Sequence, residues 1–159
     1  MANFSIRKAT VNDAPKIVSL IKELAVYEKL LHEAVVTVEQ IETNVFEKKY
    51  ADVLMAEEDG EVVGFALFFY NFSTFKGKPG LYLEDLYVEP HHRGKGYGKM
   101  LLIELAKIAA ANNCGRMEWS VLDWNTPSIE FYKSLGAQPM DEWTVYRLTE
   151  EKIHLLANN

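Results

Sequence analysis

The segment Glu89-Pro90-His91-His92-Arg93-Gly94-Lys95-Gly96-Tyr97-Gly98-Lys99 holds three glycines and, from His91 onward, three bases and no acid. Glycines let a backbone turn with its N–H groups pointing inward and without Cβ clashes. Where such a turn opens a helix, unpaired N–H groups and the positive end of the helix dipole make a site for an anion, and a pyrophosphate is the expected guest. The spacing is not that of a Walker loop. Gly94 and Gly98 stand too close, and Met100 follows Lys99 where Ser or Thr is required. Nor does Gly94-x-Gly96-x-Gly98 have the spacing of a dinucleotide fingerprint, and it follows a run of strands instead of opening a βαβ unit. Read from its glycines alone, the run is either an anion cradle or a connector without a ligand.

Other residues could take part in chemistry nearby. Glu84 lies in an otherwise apolar strand, YLEDLYV, where it is either a solvated charge or an acid–base group. Regular pairing would turn the adjacent Asp85 to the opposite face, and a bulge would change that alternation. Tyr132 falls in a short helix with Ile129 and Leu135 three residues to either side, the spacing of a core aromatic as much as of a general acid. Cys114, the only cysteine, has no histidine near it in sequence and reads as an incidental thiol. His91 and His92 are adjacent, a poor geometry for ligands, and no Cys or acid stands at zinc-like spacing, so no metal site is expected.

The elements that must position these groups follow from periodicity. Phe4 to Lys8 alternates as a short strand. Thr10, Asn12 and Asp13 offer N-caps to a helix carrying Ile17, Leu20, Ile21, Leu24, Tyr27 and Leu31 at helical spacing. A weaker helix is expected from Val38 to Lys48. The apolar runs ADVLMAEE and EVVGFALFFYNF flank Asp59-Gly60 and predict a hairpin. A loop, STFKGKPG, leads to the strand LYLEDLYV. The glycine run then opens a helix with Leu101, Leu105, Ile108 and Ala109 on its buried face, followed by the strand RMEWSVL. Thr126-Pro127 starts a helix that Leu135-Gly136 ends. A last strand is expected near Thr144 to Leu148, and a tail helix over Glu150 to Leu156. Three consecutive strands imply antiparallel hairpins, and the strand–helix–strand unit after them a parallel crossover. The expectation is one α/β domain over residues 1–159, a mixed and mostly antiparallel sheet flanked by helices.

Composition limits the function. The 159 residues are enough for a core without disulfides or structural metal. Seventeen bases against 23 acids give a net charge of −6, which speaks against a nucleic-acid binder and suits a cationic partner. Set apart the three bases of the glycine run, and the rest carries 14 bases against 23 acids, or −9. Positive charge is thus gathered where the backbone donors are. No apolar run of signal-peptide or membrane-span length occurs, so no membrane partner and a cytoplasmic location are expected.

Arg93-x-x-Gly96-x-Gly98 between a strand and a helix resembles the acyl-CoA loop of the GCN5-related N-acetyltransferases. Four segments, IKELAVYEKL (Ile21 to Leu30), YLEDLYV (Tyr82 to Val88), RGKGYG and WNTPSIEFYKSLGA (Trp124 to Ala137), resemble the diamine branch, typified by spermidine/spermine N1-acetyltransferase and its thialysine-acetylating relatives. The likeness implies acetyl-CoA as co-substrate, a small cationic amine as acceptor, direct attack in a ternary complex and a homodimer. It implies that Tyr132 protonates the leaving CoA sulfur and that Glu84 binds the amine and relays its proton through water. Leu86, Tyr87 and Val88 would pair with the pantetheine arm. Arg93, Gly94, Lys95, Gly96, Tyr97, Gly98 and Lys99 would hold the pyrophosphate. Asn125, Thr126, Pro127 and Ser128 would meet the CoA near its reacting end, although Asn125 and Thr126 are equally good helix caps. Tyr27 and Glu28, with Glu118, Trp119 and Ser120, match the amine-binding residues. A peptide or protein N-acetyltransferase and a non-catalytic acyl-CoA-binding module remain the alternatives.

Overall fold

The computed structural model describes residues 2–159 and divides into two compact units, one running to Ser120 and the other from Val121 to Asn159. The first unit carries a five-stranded sheet in the order β1 (Phe4–Lys8), β2 (Asp52–Glu58), β3 (Glu61–Ser73), β4 (Lys78–Val88) and β5 (Arg116–Trp119). The first four pair antiparallel and β5 joins β4 in parallel. That parallel step needs a crossover, which α3 (Tyr97–Ala111) supplies. The expected mixed, mostly antiparallel sheet flanked by helices is the sheet observed.

The alternation of β2 explains why both its faces are covered. Val53 and Met55 join one cluster with Ile17, Leu20 and Leu24 of α1 (Ala14–Tyr27), together with Phe65 and Tyr87. Leu54 and Ala56 point to the other face and are also buried, where α3 contributes Leu101, Leu102 and Leu105. Strands hydrophobic on both sides are what a sheet between two helical layers requires. The β2–β3 hairpin turns on Asp59 and Gly60, both at positive φ (52° and 84°), as the Asp-Gly pair predicts.

Four sequence expectations need correction. The STFKGKPG loop shrinks to Thr74–Gly77, because β3 runs to Ser73 and β4 begins at Lys78, the two pairing through Ser73↔Lys78. The helix expected from Val38 to Lys48 starts as α2 (Val38–Ile41) and continues as a π-helical turn over Glu42–Glu47. The last strand, Thr144 to Leu148, is absent. The second unit holds α4 (Thr126–Ser134) and α5 (Glu150–Ala157), with a non-helical segment between them that forms no ladder. Alternating apolar residues suit a strand, but a strand exists only by pairing, and this unit contains no second one. Val145 and Tyr146 are 82% and 92% exposed. The β5 strand likewise stops at Trp119, short of the expected RMEWSVL run.

Candidate active site

The short β5 is what opens the site. Its pairing with β4 runs from Gly80↔Arg116 to Leu83↔Trp119 and ends there. On the other side β4 keeps its ladder with β3 as far as Gly64↔Val88. From Glu84 to Val88, therefore, β4 has a strand on one side only. Leu86 is half-buried, while Tyr87 and Val88 are buried. Backbone groups along such an open edge can pair with an extended guest.

At the start of this edge the ladder shifts register. Leu67 pairs with Asp85 and Phe68 with Leu83, so Glu84 is an extra residue. Of the two arrangements left open for the Glu84-Asp85 pair, the structure has the bulge, a device that re-aims side chains. Glu84 is exposed and Asp85 half-buried. Burial pushes the Asp85 carboxyl up to about 7, and the Glu84 and Glu28 charges add to the shift. Burial, and then the Glu84 charge, raises Glu28 as well. Glu28, Glu84 and Asp85 thus form a group of mutually repelling carboxylates. Asp85 was not among the candidate site residues. Its signal was the second acid of a tandem in an apolar strand.

Tyr27 and Glu28 stand at the end of α1, where a Schellman turn closes the helix. Lys29 lies at φ 62°, its N–H donates to the Val26 carbonyl (3.0 Å) and the Leu30 N–H to that of Ala25 (2.8 Å). The Tyr27 ring meets Arg93, whose guanidinium lies 5.2 Å from the ring centroids of both Tyr27 and Tyr87. Arg93 Nε also donates to the Val88 carbonyl at 2.7 Å. The arginine of the glycine run therefore folds back onto β4 and α1. Glu118 and Trp119 lie at the end of β5, and Ser120 just beyond it. Glu118 pairs with Arg116 at 3.0 Å, and the Ser120 hydroxyl is 3.0 Å from that of Tyr82. The structure brings Tyr27, Glu28, Glu84 and Arg93 together, while the Glu118 carboxylate has its own cation.

Beyond Val88, Pro90–His92 makes a 3-10 turn and the glycines follow. Gly94 (φ 79°) and Gly96 (φ 83°) adopt left-handed conformations that other residues resist. The first hydrogen bond of α3 runs from the Met100 N–H to the Gly96 carbonyl, at 3.0 Å. Among the described residues, the N–H groups from Gly94 to Lys99 donate to no backbone carbonyl. A Cβ at Gly98 would meet nothing within 4 Å, so open space lies over the first turn. Unsatisfied donors around open space at a helix head can hold a phosphate group. Lys99 is exposed; Lys95 and Tyr97 turn their side chains away, onto Glu58.

In the second unit, Asn125 is the buried N-cap of α4 and its side chain accepts from the Ser128 N–H at 3.4 Å. Its capping role is thereby assigned. Thr126 and Pro127 are exposed in the first turn, and Ser128 is half-buried. Tyr132 is half-buried on the same helix, its ring 5.7 Å from that of Phe131.

An open sheet edge leading into a glycine turn with idle amide donors is a place where an extended, phosphate-bearing ligand could lie. Residues 19–137 match the acetyltransferase (GNAT) family, and the chain belongs to that family of acyltransferases. It is 36% identical to the thialysine N-epsilon-acetyltransferase of Bos taurus, over 99% of both chains. It is 32% identical to an L-ornithine N5-acetyltransferase of Arabidopsis thaliana, over 95% of this chain and 86% of that one. Among solved structures, an integron cassette protein from the mobile metagenome of V. cholerae superposes with a TM-score of 0.83 at 30% identity, over 98% of each chain. Among the described residues, no group of three or more His, Cys, Asp or Glu side chains is placed to hold a metal ion, and no helix is long and apolar enough to cross a membrane.

Proposed function

We propose that the protein transfers the acetyl group of acetyl-CoA to a primary amine of a small polyamine or lysine-like diamine, by direct attack in a ternary complex. The observation that carries this reading is the run of idle N–H donors from Gly94 to Lys99, continuous with the open edge of β4 on which the carboxylates Glu84 and Asp85 stand. Relatives named for acetylating thialysine and ornithine, both diamino acids, support the choice of acceptor. Residues 1–120 and 121–159 act as one acetyltransferase domain in this reading, since the family match spans the boundary between them.

An alkyl ammonium with a pKa of about 10.4 arrives protonated. Glu84 takes its first proton through water, and the freed lone pair attacks the thioester carbonyl. A β4 backbone N–H stabilises the oxyanion. The C–S bond then breaks and the thiolate takes the phenol proton of Tyr132. The second proton leaves nitrogen as the amide forms and restores the phenol, so one proton is released overall. The acceptor's distant ammonium keeps its charge beside Glu28 and Asp85. Leu86 to Val88 pair with the pantetheine arm, and Asn125 to Ser128 lie near its reacting end.

Homodimer assembly in the cytoplasm belongs to the same reading. Trp143, Val145, Tyr146 and Leu148 are exposed on a segment without a ladder, which favours a second copy as its cover. The test of the reaction is acetyl transfer from acetyl-CoA to spermidine, putrescine, thialysine, ornithine, lysine and a set of peptides. Turnover on small diamines is expected. Turnover on peptides alone would make it a peptide acetyltransferase, and acetyl-CoA binding with no acceptor would make it a binding module.

A further inference from the structure

Glu58 is the one acidic or basic side chain among the buried described residues, at 8% exposure. It ends β2, directly before the Asp59-Gly60 turn. A buried carboxylate is tolerated only when its lone pairs are well met. Here three donors meet them, and all three come from the glycine run. Lys95 Nζ (2.7 Å) and the Tyr97 hydroxyl (2.6 Å) donate to Oε1, and His92 Nδ1 lies against Oε2. The Lys95 bond, then that of Tyr97, holds the Glu58 carboxyl down to about 2, and Glu58 in turn pushes Tyr97 up to about 12.

We propose that Glu58 is a positioning residue for acetyl-CoA: its carboxylate grips the glycine run on both sides of Gly94 and so holds the run's N–H groups in the arrangement that receives the diphosphate. The inference rests on the reading of that run as the phosphate site. The reason for a grip is the glycines themselves. Glycines lose more conformational freedom on ordering than any other residue type, so ordering Gly94 and Gly96 on binding would weaken the complex. His92 is anchored before Gly94, Lys95 and Tyr97 after it. Tyr97 is fixed further by stacking on Phe4 of β1, ring centroids 3.9 Å apart at 3°. Arg93 fastens the opposite flank through the Val88 carbonyl. The run is thus ordered before any ligand arrives.

Charge and position predict opposite signs. Glu58 offsets the charge of Lys95, so by electrostatics alone its removal would strengthen the binding of an anionic ligand. By positioning, removal weakens it. The experiment is calorimetric titration of acetyl-CoA into the full chain and into Glu58→Gln, with steady-state kinetics and hydrogen exchange of the Gly94–Gly96 amides. In Glu58→Gln the expected results are acetyl-CoA affinity lower by about tenfold, faster exchange at those amides, and kcat at saturating acetyl-CoA with amine KM within about twofold of the parent. Glu57→Gln, which removes the neighbouring carboxylate paired with Arg7, leaves acetyl-CoA affinity unchanged. Should Glu58→Gln not fold, Tyr97→Phe keeps the ring on Phe4 and removes one grip, and acetyl-CoA affinity is expected to fall by about two- to fivefold. Equal or tighter binding by a folded Glu58→Gln, or by Tyr97→Phe in its place, overturns the role of Glu58 alone. A parent chain that does not bind acetyl-CoA overturns the phosphate-site reading and this inference with it.

Discussion

At the scale of single residues, the proposed reaction rests on two groups that the chain supplies in different ways. Tyr132 sits on α4 and Glu84 on a bulge of β4. Tyr132→Phe is expected to lower kcat by roughly 10²-fold or more with an unchanged circular dichroism spectrum, since a general acid contributes about 10²–10⁴. Asp85 carries a prediction about stability. Its folded pKa, about 7, lies above the unfolded value, so between pH 4 and pH 7 the unfolded chain loses its proton first. Stability from the buried neutral acid is fully present below the unfolded pKa and is lost as pH rises through 7, on the order of 4 kcal/mol at most. Asp85→Asn should therefore gain on the parent in urea unfolding as pH rises from 4.5 to 7.5, and the two should differ least at the acid end. The sequence displayed the Glu84-Asp85 tandem but not which acid is buried, because the bulge that decides it arises from register with β3. The Arg93 side chain was equally illegible: its partners, Tyr27 and Tyr87, come from distant parts of the chain.

Among the elements, the glycine turn was the most legible, because positive φ at Gly94 and Gly96 is a local demand that only a few residue types meet. Gly96→Val places a β-branched residue at φ 83°, a region such side chains avoid. It is expected to raise the KM for acetyl-CoA by about tenfold or more, with a smaller change in amine KM. Equal effects on both substrates in steady-state kinetics would detach the turn from the acyl donor. The Asp59-Gly60 hairpin, α1 and α3 were readable for the same local reason, turn chemistry and helical spacing. The segment from Thr144 to Leu148 was not. Its alternation is that of a strand, yet pairing is a property of two segments, and residues 121–159 supply only one. The early end of β5 escaped too, since Ser120 to Leu122 continue the apolar pattern past the last pair, Leu83↔Trp119.

For the whole molecule, the proposed homodimer would cover the unladdered segment. Light scattering on the purified chain is expected to give twice the monomer mass, and Tyr146→Asp, which places a charge on a 92% exposed aromatic, should shift the population towards monomer. A parent of monomer mass at all concentrations would remove the dimer from the account. Charge at this scale runs in the expected direction, −6 overall with bases gathered at Arg93, Lys95 and Lys99, although Lys95 turns inward to Glu58. The two-sided use of β4 has a consequence for how such a protein can change. In the proposed reaction its main chain faces the arm of the acyl donor, while its acids face the acceptor. Main-chain recognition is indifferent to which side chains hang from it. New acceptors could thus be selected by replacing Glu28, Glu84 or Asp85 while the donor's berth stays intact, so one catalyst can be retuned for a different nitrogen nucleophile without relearning how to hold its thioester.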